Sequence, residues 1–137
     1  MTLPSPSRAF ETKSRRPVVY AVDDEVMILE LITMVLGPHG YEVVPFDDPA
    51  RALEALRADP KGVALVITDY AMDTMNGMEF IEQCRALAPD LKIILVSGTV
   101  NEEIYAHAAA KPDGFLSKPF QTAQLLATVR KLVNLQR

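Results

Sequence analysis

The sequence predicts a parallel α/β fold in which helices cover both faces of a five-stranded sheet. Three observations predict it. From Pro17 onward, apolar runs of four to six residues alternate with amphipathic segments of about a dozen, and the alternation repeats five times, as βα units around a parallel sheet do. Three of the runs are apolar through their interiors, as strands covered on both faces must be. The chain has 137 residues, 49% of them hydrophobic, which suits one well-filled core of ordinary domain size.

The first strand is "VVYAV" at 18–22, and the helix after it carries Ile28, Leu31, Ile32 and Val35 on one face before stopping at Gly37-Pro38. The second strand, "YEVVPF" at 41–46, alternates polar with apolar and contains Pro45. Proline cannot donate to a ladder, so this strand belongs at an edge. Asp48 and Pro49 form an N-cap and first-turn pair for the second helix. The third strand is "VALVIT" at 63–68, and its helix closes at Ala88-Pro89. "KIILVS" at 92–97 and "GFLS" at 114–117 complete the sheet, separated by a fourth helical segment. In the last helix Leu125, Leu126, Val129, Leu132 and Val133 make an apolar stripe, which is core packing and implies no cofactor.

Composition excludes several classes of function. No apolar run approaches the ~20 residues that cross a bilayer, and the N-terminus has no apolar stretch of signal-peptide type. A protein of the cytoplasm, with no membrane role, is expected. The net charge is −4, so direct nucleic-acid binding by the body is not expected. Residues 1–16 form a basic tail in which Arg8, Lys13, Arg15 and Arg16 outweigh Glu11. It reads as a flexible, solvated terminus ahead of one domain at 17–137. Cys84 is the single cysteine and is expected to be a buried packing residue.

Chemistry collects where the strands end. The first ends in Asp23-Asp24-Glu25, the third in Asp69, the fourth in Ser97-Gly98 and the fifth in Lys118-Pro119. Ligands of an open doubly wound sheet bind in the crevice outside these carboxyl ends. Taken singly, each acid or hydroxyl could cap the helix that follows it, and Lys118 could be a surface charge. Taken together, converging carboxylates repel one another and call for a cation. Oxygen-only ligands point to Mg²⁺ or a substitute such as Mn²⁺. A metal, a spare carboxylate, an ammonium and a hydroxyl describe phosphoryl transfer to an aspartate.

"VDDE", "ITDYAM...NG", "LVSG" and "GFLSKPF", in this order on these strands, resemble the receiver domain of two-component response regulators of the chemotaxis-regulator type. The likeness runs from about Pro17 to Leu135. It implies the doubly wound (βα)5 flavodoxin-like fold with strand order 2-1-3-4-5. It also implies a signalling switch without a separate turnover substrate, phosphorylated by a histidine kinase or a histidine phosphotransfer protein. By the same resemblance Asp69 is the phosphoacceptor, and Asp23, Asp24 and Asp69 hold the metal with the backbone carbonyl of Ala71. Lys118, preceding a cis bond to Pro119, and Ser97 meet the phosphoryl group, and Phe115 is the aromatic switch. A downstream protein or a second copy of the chain would read the face of the fourth helix, fifth strand and fifth helix.

The chain departs from the family at several positions. Asp73 stands where proline is common, and Lys111-Pro112 replaces a more usual Gly-Ala before the last strand. Ala71 and Thr99 flank the route of a water that would attack the phosphoryl group, and Ala71 has nothing with which to orient it. A long-lived phospho-Asp69 is therefore expected. His39, in a "GPHG" turn, and His107, among alanines, are read as ordinary boundary or surface residues. A Mg²⁺-dependent phosphohydrolase would present a second acid at the position of Ala71, and an inert interaction module would not need the full set of polar groups. Met1 and the self-contained tail favour a stand-alone protein.

Overall fold

Each strand is short because the apolar runs are short. The computed structural model describes residues 16–98 and 110–133. Its strands are β1 (Val18–Val22), β2 (Glu42–Phe46), β3 (Leu65–Asp69), β4 (Lys92–Ser97) and β5 (Gly114–Ser117). All pair in parallel, in the order β2-β1-β3-β4-β5. The helices among the described residues are α1 (Val26–Leu36), α2 (Pro49–Ala58), α3 (Gly77–Leu87) and α4 (Thr122–Leu132). The fourth helix expected from the sequence, with Thr99 and His107, lies outside the described residues, as does tail segment 1–15. The label α4 therefore belongs to the last helix of the chain.

Two apolar layers sandwich the sheet. On one side Val19, Ala21, Leu65, Ile67, Ile94 and Val96 pack against α1 and α4. On the other Tyr20, Val22, Val66, Ile93 and Leu95 pack against α2 and α3. Neighbouring residues of one strand thus serve opposite layers, as the two-residue repeat of a strand requires. Cys84 lies on α3 in the second layer with no exposure, and burial pushes its thiol up to about 12. It is a packing residue.

Two strand boundaries differ from expectation. β3 starts at Leu65 and ends at Asp69, later than the span read from the sequence. Asp69 pairs with Val96, and the Tyr70 N–H donates to the Val96 carbonyl (2.9 Å), so β4 holds the chain past the apolar run. Asp69 is therefore a strand residue. β2 starts at Glu42 because Tyr41 turns inward, where its hydroxyl donates to the Val133 carbonyl (3.2 Å). The left-handed turn after α1 falls at Gly40 (φ 97°), while Gly37 is right-handed and opens a 3-10 turn over Gly37–His39. The buried line of α1 is Leu29, Ile32 and Leu36, with Ile28, Leu31 and Val35 only half-buried beside it. A helix reading "VMILELITMVL" is apolar almost all round, so its sequence does not single out one face.

Helix starts follow local chemistry. Asp48 caps α2 by accepting from the Ala50 N–H (3.0 Å), with Pro49 in the first turn. Asn76 and Glu79 form a reciprocal capping box on α3, at 2.9 and 3.0 Å. Arg85 ties the other end of α3 to the Leu91 and Lys111 carbonyls and to Asp113 (2.9 Å). Asp113 in turn accepts from the Ile93 N–H (2.8 Å), which fixes the approach to β5.

Candidate functional site

Among the described residues the buried polar or charged side chains are Asp23, Thr68, Asp69 and Ser97. All four stand at the carboxyl end of the sheet. Asp23 follows β1, and its N–H extends the ladder by donating to the Phe46 carbonyl (3.1 Å). Its Oδ1 accepts from the Glu25 N–H (2.8 Å), which holds the carboxylate at the strand tip. Asp69 ends β3, the central strand, and is 6% exposed. Ser97 ends β4, and its carbonyl accepts from the Lys118 N–H (2.9 Å). That bond sets Lys118, just past β5, beside the tips of the other strands.

Asp24 is exposed, yet one carboxylate oxygen from each of Asp23, Asp24 and Asp69 lies within 4.8 Å of the others. The Lys118 ammonium sits among them, 3.3 Å from Asp23 Oδ2 and 3.2 Å from Asp69 Oδ1. It also meets Glu25 Oε1 at 3.2 Å. Ala71 and Asp73 are exposed in the loop between β3 and α3. Phe115 lies on β5, half-buried against the layer beneath α2 and α3. The peptide between Lys118 and Pro119 is cis. Thr99 is outside the described residues.

One ammonium does not neutralise this cluster. Burial raises the Asp23 carboxyl to about 6; the Glu25 N–H and Lys118 oppose the rise and the Asp69 charge adds to it. Asp69 is also raised, again chiefly by burial, with Lys118 opposing. For Lys118, burial alone would lower the ammonium, but Asp23, Asp69 and the Glu25 hydrogen bond outweigh it and leave it raised. Acid and base therefore shift upward for different reasons: burial disfavours the charged carboxylates, while the carboxylates around Lys118 hold its proton. The donors are all oxygens and Asp24 leaves an open side, so the residues suit a hard divalent cation better than zinc.

Two neighbours of the site were not singled out by sequence reasoning. Glu25 is the third carboxylate on Lys118, and its only signal was its place after two other acids. Gly77 opens α3 directly under β3, with its N–H donating to the Tyr70 carbonyl (2.7 Å). A Cβ there would meet the Asp69 carbonyl at 2.7 Å and Leu95 Cδ1 at 2.8 Å. The close approach of α3 to the tip of β3 thus requires glycine.

Similar proteins share this architecture. The chain is 32% identical over 123 residues to the response regulator receiver protein CpdR of Brucella abortus, covering 85% of this chain and 95% of that one. It is 31% identical to the putative two-component response regulator ARR21 of Arabidopsis thaliana, with 78% of this chain covered but only 17% of the relative. For the C4-dicarboxylate transport regulator DctD of Rhizobium meliloti the identity is 33%, and the chain spans 25% of that protein. Several relatives are thus much longer than the segment they share with this chain. Among solved structures, the chemotaxis protein CheY4 of Vibrio cholerae superposes with a TM-score of 0.78 at 27% identity, covering 86% of this chain and 99% of that one. The family model for the response regulator receiver domain matches residues 19–130. With all five strands but for Val18, the acidic tips and Lys118 inside that span, the chain belongs to the response regulator receiver domain family of two-component systems.

Proposed function

We propose that Asp69 accepts a phosphoryl group from a phosphohistidine of a histidine kinase or histidine phosphotransfer protein, and that the modification switches the surface of the domain. The observation that carries this reading is the arrangement at the tip of β3. Asp69 is nearly buried, 3.2 Å from an ammonium, and shares a 4.8 Å cluster with Asp23 and Asp24. In the step, an Asp69 carboxylate oxygen forms the new bond to phosphorus while the bond from phosphorus to the imidazole nitrogen breaks. The electron pair leaves with that nitrogen, which then takes a proton.

Each residue has a part. Asp23 and Asp24, with Asp69 and the Ala71 carbonyl, would hold Mg²⁺ or Mn²⁺. When bound, the ion neutralises charge on the phosphoryl oxygens and orients them for in-line transfer. Lys118 supplies the second positive charge, as a compact point donor. The Ser97 hydroxyl donates to a phosphoryl oxygen, Phe115 follows the rearranged β4 loop inward, and the face of β5, α4 and the preceding segment becomes the output surface. A downstream protein or a second copy of the chain reads that face. Ala71 offers a methyl group in place of a water-orienting side chain, and Thr99 flanks the same route, so the phosphoryl group is long-lived. Residues 17–137 act as one signalling domain in the cytoplasm, and the protein is a switch with no separate substrate.

Incubation with Mg²⁺ and acetyl phosphate, followed by intact-mass measurement, tests the assignment. One added phosphoryl mass is expected, absent without metal and absent in Asp69→Asn. Turnover of the donor without accumulation would favour a hydrolase, and no reaction would favour an inert module. Ala71→Asn should shorten the lifetime of the adduct; an unchanged decay rate would remove Ala71 from the account.

A further inference from the structure

Glu25 is not among the groups assigned to metal or phosphoryl binding, yet its contact with Lys118 is as short as those of Asp23 and Asp69. It occupies the N-cap position of α1 with an extended backbone, but its side chain makes no cap hydrogen bond. The side chain turns to the ammonium instead. Its own N–H is held by Asp23 Oδ1, so the start of that side chain is fixed by the site. An ammonium has three donors, and here three carboxylates surround it. Two are inside, at 2% and 7% side-chain exposure, and one is outside, at 64%.

We propose that Glu25 is a positioning residue: it draws the Lys118 ammonium toward the mouth of the site and so limits how strongly Lys118 competes with a divalent cation for Asp23 and Asp69. The inference rests on the metal-assisted reading above. An incoming cation needs oxygens that the ammonium also contacts. With Glu25 present, the ammonium keeps one partner as it yields the other two. Without the Glu25 charge it settles wholly on Asp23 and Asp69, and the cation must displace it from both. A phosphoryl group on Asp69 meets the same choice in reverse, since Glu25 is then the anion with which it competes for Lys118.

A double-mutant cycle on Mg²⁺ affinity, measured by calorimetry on the full chain, separates this role from a diffuse field effect. The forms are the unaltered chain, Glu25→Gln, Lys118→Met and the double variant, with Lys118→Gln in reserve should the Met variant melt early. With Lys118 present, Glu25→Gln should weaken Mg²⁺ binding about two- to fivefold, the range for exposed ion-pair coupling. In the Lys118→Met background the same change should have almost no effect. Equal weakening in both backgrounds would show a field effect and overturn the inference, and so would no weakening in either, or no Mg²⁺ binding by the unaltered chain. The cycle requires no phosphoryl transfer. Failure of acetyl phosphate to label a chain that binds Mg²⁺ would therefore count against the proposed function alone.

Discussion

Ile67 and Asp69 stand two residues apart on β3, point to the same side of the sheet, and are 1% and 6% exposed. Burial is nearly equal and its consequences are opposite. Ile67 is surrounded by Val19, Ala21, Leu65, Ile94 and Val96, and burying it removes apolar surface from water. Asp69 is surrounded by carboxylates and one shared ammonium, and burying it raises its carboxyl. One strand thus joins a stabilising interior to a rim held in a conformation its charges oppose. The interior keeps the rim in place.

The comparison breaks most sharply if the interior is weakened. Ile67→Ala should cost about 2–5 kcal/mol, the usual loss for emptying a closed apolar site, read as a lower midpoint in urea. Asp69→Asn, two residues on, should leave stability equal or higher. A loss at Asp69 as large as that at Ile67 would mean that the rim contributes to stability, contrary to this account.

The rim itself can be sharpened through pH. Asp23 has a folded value of about 6 against an ordinary 3.8, so the folded state binds this proton more tightly than the unfolded chain. Its penalty is therefore absent below about pH 4, grows between the two values, and is complete above about pH 6, at an order of 1–3 kcal/mol. Asp23→Asn should raise the melting temperature at pH 7 in metal-free buffer and change it little at pH 4. Mg²⁺ at pH 7 should stabilise the unaltered chain by binding the folded state, and much less so the variant. A stability difference that did not depend on pH would remove charge as its cause.

Gly77 sits at the seam between the two regions. A methyl there would press on the Asp69 carbonyl and on Leu95, one belonging to the rim and one to the interior. Gly77→Ala should cost about 1–3 kcal/mol, as overpacking does, and should also slow acetyl phosphate labelling by displacing Asp69. Lost stability with labelling unchanged would confine the contact to packing.

The sequence revealed the interior more fully than the rim. Strand positions were legible because apolar interiors separated by amphipathic segments admit few other arrangements, and Pro45 marked β2 as an edge before any pairing was known. The buried line of α1 was not legible, because a helix apolar on nearly every side packs by contact with its neighbours. The first helix stopped at Gly37 as expected, and a 3-10 turn over Gly37–His39 then carries the chain to the left-handed Gly40. At the rim, the residue types at strand tips were plain. The contact between Glu25 and Lys118, residues 93 apart, exists only after β1 and β5 have been brought to one end of the same sheet. The close approach at Gly77 likewise depends on the angle at which α3 meets β3, which no local pattern encodes.

The weakest expected effect lies at the same end of the sheet. Arg51 and Asp47 form an ion pair at 3.9 Å just beyond β2, but their side chains are 72% and 57% exposed. Water screens such a pair and two long side chains lose freedom to form it, so Arg51→Gln should change stability by less than about 0.5 kcal/mol. The effect should also be the same with and without Mg²⁺. Lys118 is in the opposite case, because its partners Asp23 and Asp69 are almost enclosed. Lys118→Met should therefore change both the melting temperature and its response to Mg²⁺. If the two substitutions behaved alike in a melt with and without metal, burial would not be what sets the rim acids apart from ordinary surface charge.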